Sequence, residues 1–101
     1  MGEGLNPKVY RFTVTKKGSG AEFLKPLVFL AVKETELIFG RARTKLETNY
    51  HLFRQQPVCT IEDGTECREH LAKLVSRFLI KQVGETGFRV NRLTRNNNRA
   101  H

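Results

Sequence analysis

The sequence predicts an α+β fold: an antiparallel β-sheet of about five to six strands packed on one long amphipathic α-helix, in the order β-β-β-(β)-β-α-β. Three observations predict it. Residues 65–83 carry a single apolar stripe at helical period. Val9–Lys16 and Phe88–Thr94 alternate apolar and polar side chains, as half-buried strands do. Between them lie several short apolar runs bounded by polar or proline-containing turns.

In chain order, residues 1–8 form a flexible lead-in. Val9–Lys16 follows, with Tyr10, Phe12 and Val14 on one face and Arg11, Thr13 and Thr15 on the other. Lys16-Lys17-Gly18-Ser19-Gly20 is a flexible basic loop, and it lacks the Lys-Ser/Thr pair that ends a phosphate-binding loop. Pro26–Val32 is apolar on both faces and is expected as a central strand that starts at its proline. Lys33–Glu36 would be a loose turn, and Leu37–Arg43 the returning strand. On that strand Arg41 and Arg43, continued by Lys45, would form a basic row at alternate positions. A short strand is expected within 46–56, where Tyr50 and Leu52 alternate with His51 and Phe53, and another at Val58–Ile61.

The helix is the best-marked element. Cys67, Leu71, Leu74, Val75, Phe78, Leu79 and Val83 fall at i, i+4, i+7, i+8, i+11, i+12 and i+16. Asp63 and Thr65 are both candidate N-caps, and Asp63 with Glu66 has capping-box spacing. Gly84 is suited to end the helix. Its outer face runs Glu69, Lys73, Arg77, Lys81, a favourable first pair followed by a basic ridge. Gly84–Gly87 turns the chain into the final strand, with Phe88 and Val90 inward and Arg89 and Asn91 outward. Residues 95–101 make a disordered basic tail.

At 101 residues the chain is expected to form a single domain, 1–101. No apolar run has the length of a membrane span, and the first residues do not read as a signal peptide; an intracellular protein, cytoplasmic or nuclear, is expected. Two cysteines make no disulfide framework, and Cys67 on the apolar stripe reads as a buried thiol. His51, Cys59, Cys67 and His70 are the conceivable zinc ligands, but their spacing matches no zinc motif, so no metal is assigned. Nothing marks a nucleophile, an oxyanion hole or a pair of catalytic carboxylates, and no cofactor or small-molecule substrate is indicated. The expectation is a protein that is not an enzyme.

Charge is the functional signal. The net charge is +8, with +4 in residues 1–44, −2 in 45–66 and +6 in 67–101. A basic footprint with ten arginines to eight lysines suits a polyanion, since guanidinium forks match phosphates and stack on bases. The candidate nucleic-acid-binding residues are Arg11, Lys16, Lys17, Arg41, Arg43, Lys45, Lys73, Arg77, Lys81, Arg89, Arg92, Arg95 and Arg99. The sequence thus predicts a small basic module for RNA or single-stranded nucleic acid, acting mainly through phosphate contacts. Tyr10, Phe12 and Phe88 lie among these cations, but their inward phase assigns them to the core rather than to base stacking. The alternative is a protein-interaction or assembly subunit, or a homo-oligomer, docking by an edge strand or a helix flank; the apolar run 26–32 and the aromatic segment 50–53 motivate it. A role at a membrane surface is not expected.

Overall fold

The structure is a computed structural model that describes residues 8–17 and 21–94. Residues 1–7 of the expected lead-in 1–8, residues 18–20 of the basic loop and the tail 95–101, with Arg95 and Arg99, lie outside the described residues; Lys8 opens the first strand. The element order is β1 (Lys8–Val14), α1 (Ala21–Phe39), α2 (Arg41–Glu47), β2 (Tyr50–Leu52), β3 (Val58–Glu62), α3 (Glu66–Val83) and β4 (Phe88–Thr94). The four strands form one antiparallel sheet in the order β2-β3-β1-β4. The α+β class is therefore as expected, with four strands and three helices in place of five to six strands and one helix. Strand–helix–strand–strand–helix–strand with this order is the connectivity of the split βαβ arrangement, here with α2 added before β2.

The main difference from expectation is residues 26–43. Pro26–Val32 is not a central strand, Lys33–Glu36 is not a turn and Leu37–Arg43 is not a return strand: all but the last few residues belong to α1. The reason is a helical period hidden inside an apolar run. Leu24, Leu27, Val28, Ala31 and Thr35 are buried at i, i+3, i+4, i+7 and i+11, while Phe29 and Leu30 between them are exposed. Alanine, leucine, lysine and glutamate, good helix formers, fill most of the remainder. Pro26 lies in the second turn, where it forgoes only the bond to the carbonyl of Glu22 in the first turn. The buried Thr35 hydroxyl is satisfied by donating to the Ala31 carbonyl at 2.8 Å. Gly40, with φ 90°, breaks the chain between α1 and α2 in a conformation that L side chains rarely adopt.

α3 follows the sequence closely. Cys67, Leu71, Val75, Leu79 and Val83 are buried, with Leu74 and Phe78 packed at the core margin. The N-cap is Thr65, whose hydroxyl accepts from the Arg68 N–H at 3.1 Å. The Asp63–Glu66 capping box does not form; Asp63 is engaged elsewhere, by Arg92. Glu69 accepts the Tyr10 hydroxyl at 2.8 Å and so ties α3 to β1.

The core holds Phe12 and Val14 of β1, Cys59 and Ile61 of β3, the inner stripe of α1 and that of α3. The strand residues of the core cluster, Phe12, Val14, Cys59 and Ile61, lie on one face of the sheet, and both long helices pack there; Val58, buried too, points to the other face. Among the described residues no helix packs on the other face. β4 is an edge strand, and the expected inward Val90 is 44% exposed: it faces the helix layer by register but lies beyond the cover of α3.

The α3–β4 turn is closed by backbone. Gly84 N–H donates to Ile80 O, and Gly87 O accepts from the N–H groups of Thr15 and Lys16 at 2.9 and 3.1 Å. A Cβ on Gly87 would fall on the Val83 carbonyl oxygen and 2.6 Å from the Val83 Cβ. Neither neighbour is a flexible chain end, so Gly87→Ala is expected to destabilise the protein by about 1–3 kcal/mol. A shift of the urea midpoint at unchanged slope would read it. An unshifted midpoint would mean that the turn relaxes freely.

Candidate nucleic-acid interface

The open face of the sheet is set by register. Arg11 pairs with Thr60 on one side and Asn91 on the other, and Thr60 pairs in turn with His51. Side chains directly across neighbouring strands point to the same face, so His51, Thr60, Arg11 and Asn91 form one polar row across all four strands. The next row toward the chain end of β1 contains Val58, Thr13 and Arg89. Toward the start of β1 the row is Glu62, Val9 and Leu93. There the surface dips into a shallow concavity of about 470 Å³ that Val9, His51, Thr60, Glu62 and Leu93 help to line.

The two ends of this face differ in charge. At the start of β1, Arg92 on the opposite face donates to Asp63 at 2.6 and 3.2 Å, and Asp63 is buried. The Arg92 guanidinium also lies 5.3 Å from the Tyr10 ring centroid. The bond to Asp63 holds the Arg92 pKa above its ordinary value. Glu62 accepts from Asn49 at 2.9 Å and lies 3.6 Å from the Arg68 guanidinium. Cations and carboxylates are balanced at this end.

The other end is unbalanced. β1 runs out into Lys16 and Lys17, which are exposed; Arg89 opens β4 beside Thr13; and the β2–β3 turn, 53–57, is held there by Val14 N–H donating to Pro57 O at 2.9 Å. That turn carries Arg54, also exposed. Lys16, Lys17, Arg54 and Arg89 therefore lie toward one end of the open face, and Arg11 lies at its middle. Among the described residues none of the five forms an ion pair with a carboxylate. On the same face His51 and Phe53 stack edge-on with centroids 4.9 Å apart.

Of the thirteen residues singled out by sequence, the structure brings together Arg11, Lys16, Lys17 and Arg89. Arg92 is tied to Asp63 on the helix side of the sheet. Lys73, Arg77 and Lys81 are exposed on α3, in the helix layer and away from the open face. Arg41, Arg43 and Lys45 do not form a strand row. They lie on α2, where a two-residue step turns the chain through more than half a turn, so Arg41 and Lys45 share a face and Arg43 does not. Arg43 bonds Glu47 at 3.1 Å and lies 5.0 Å from the Phe39 ring centroid. Arg54 was missed by sequence reasoning. The only signal for it was its place between two short strands, and the pairing of β3 with β1 was needed to put its turn at the same end of the sheet as Arg89.

The aromatic residues near the cations face the core. Phe12 is 1% exposed, and Tyr10 and Phe88 pack against the same cluster. Burial first, then the bond to Glu69, raises the Tyr10 hydroxyl pKa. The conceivable zinc ligands do not gather: among the described residues no group of three or more His, Cys, Asp or Glu side chains could hold a metal ion. Cys67 Sγ donates to Thr44 Oγ1 at 3.8 Å, and Cys59 is fully buried. Burial pushes the Cys59 thiol from 9.0 up to about 12. The folded state thus holds this proton more tightly than the unfolded chain. Its contribution to stability is complete below pH 9 and is lost as pH rises toward 12. At pH 8 both thiols are expected to resist a thiol-specific disulfide reagent in the native protein and to react fully in denaturant. Rapid native reaction of one thiol would show that its end of the core opens.

No helix among the described residues is long and apolar enough to cross a membrane. Compared with known protein families, curated proteins and solved structures, the chain has no match.

Proposed function

We propose that this chain is a non-enzymatic nucleic-acid-binding module that takes RNA or single-stranded nucleic acid across the open face of its sheet, mainly through phosphate contacts. One observation carries the reading: Lys16, Lys17, Arg54 and Arg89 lie toward one end of the sheet face that no described helix covers, with Arg11 at its middle, and among the described residues none of the five forms an ion pair with a carboxylate. Leaving five cations unneutralised together costs self-repulsion, which a polyanion relieves. Thr13, Thr60, His51 and Asn91 add hydrogen-bonding groups to the path.

Single strands fit this face better than duplex. Four-stranded modules of related connectivity read unpaired RNA on the exposed sheet. No long helix here is free to enter a groove: α3 is committed to the core, and the outer face of α1 is apolar. The central strands present Val9, Arg11, Thr13, Thr60 and Glu62 rather than aromatic rings, so phosphate and guanidinium contacts dominate over base stacking. Fluorescence-anisotropy titrations against single-stranded RNA, single-stranded DNA and duplex at two salt concentrations test this. Salt-sensitive binding with preference for a single strand is expected. Absence of binding at low salt would overturn the reading.

A further inference from the structure

We infer that the outer face of α1 is a self-association surface that takes a second copy of this chain. The face is apolar where a monomer's surface helix is polar: Phe29 is 59% exposed, Leu30 52% and Leu37 82%. Scattered exposed leucines are ordinary, but three large apolar side chains on the outer face of one helix are a patch that asks for cover. They are not a by-product of the core, which the opposite stripe of α1 already supplies.

The pattern selects the occupant. Leu30 and Leu37 are seven residues apart, two turns, and so lie on one line along the helix. In an antiparallel pair of α1 helices related by a two-fold axis between Lys33 and Glu34, Leu30 of each copy meets Leu37 of the other. The two contacts are equivalent, as an isologous interface requires. Charge points the same way. α1 holds two lysines against three glutamates in a chain of net charge +8, so this face is spared the repulsion that two copies meet elsewhere. At its centre Lys33 lies 3.9 Å from Glu36 and 5.4 Å from the Phe29 ring centroid. In the pair Lys33 reaches Glu36 of the second copy as well as its own, and its aliphatic stem packs on the seam.

This surface lies in the helix layer, opposite the open sheet face. Self-association leaves both open faces free, and the inference does not depend on the nucleic-acid reading. A dimer would present two such faces to one strand.

Sedimentation equilibrium of the full chain tests it. The expected mass is twice 11.6 kDa at micromolar concentration. Leu37→Glu, at a position 82% exposed and outside the core, is expected to halve that mass while leaving the far-UV circular dichroism unchanged. Mixing Leu30→Cys with Leu37→Cys chains under mild oxidation is expected to give the mixed disulfide dimer in excess of either homodimer. A monomeric wild-type chain at 100 μM would overturn the proposal. So would a dimer that survives Leu37→Glu, or cross-linking that ignores the 30–37 pairing.

Discussion

Replacing Arg11, Arg54 and Arg89 together with glutamine is expected to weaken binding to a single-stranded RNA about 100-fold at 0.1 M salt. The figure follows from counterion release. For single strands the logarithm of the binding constant falls by about 0.7 per decade of salt for each phosphate neutralised. With 1 M salt as the common reference, losing three contacts removes about two decades at 0.1 M. The slopes separate the variants more cleanly than the affinities. Five contacts predict a loss of about 100-fold for the native chain between 50 and 200 mM salt; the two that remain predict about sevenfold. The variant should stay folded, because none of the three guanidiniums holds a carboxylate or bridges two elements among the described residues. Arg92→Gln is the matched control. It also removes one charge, but that charge is already paired with Asp63, so it should lower stability while leaving the salt slope nearly unchanged. An equal effect on the slope from Arg92→Gln and Arg89→Gln would mean that the charge is only a diffuse field and that the open face is not its focus.

The contrast between Arg89 and Arg92 was beyond the sequence, and the reason is physical. Local signals report what one element does to itself. The α3 stripe, its Gly84 stop and the alternation of β1 depend on side chains within one or two turns of each other, and all three are legible. The Thr65 cap was one of two named candidates, and choosing between them needed to know that Asp63 is taken by a residue 29 positions away. α1 failed for a different reason. Its outer face is apolar, so the contrast from which helical period is read is missing, and a proline early in the run mimicked a strand start. That same missing contrast marks the face proposed to take a second copy. The misreading of α1 carried Arg41, Arg43 and Lys45 with it, because a basic row at alternate positions exists only on a strand. The candidate interface was half legible: Arg11, Lys16, Lys17 and Arg89 were named, but their meeting, and the inclusion of Arg54, follow from sheet register. Register joins residues about 80 apart in the chain, and no local pattern encodes it.

Phe12→Ala is expected to cost about 3–5 kcal/mol of stability, which is a large part of what a domain of this size possesses. Phe12 is 1% exposed in the middle of β1, paired with Cys59 and Val90, and packed in the cluster that holds Leu71, Val75 and Leu79. Truncation removes the ring and leaves a cavity between sheet and helices that neither layer can collapse to fill, since both are anchored by other contacts such as Tyr10 to Glu69. The neighbour Arg11 lies on the opposite face of the same strand, so the two adjacent substitutions should separate completely. Phe12→Ala lowers the urea midpoint and, in the fraction that remains folded, keeps the native salt slope. Arg11→Gln lowers the slope by about 0.7 and leaves the midpoint close to native. Because side chains alternate across a strand, this pair of measurements also reads the register of β1 directly. If Phe12→Ala abolished binding without loss of stability while Arg11→Gln did the reverse, β1 would present its aromatic face outward. The base-stacking role declined for Tyr10 and Phe12 would then be the correct one, and phosphate contacts would be secondary.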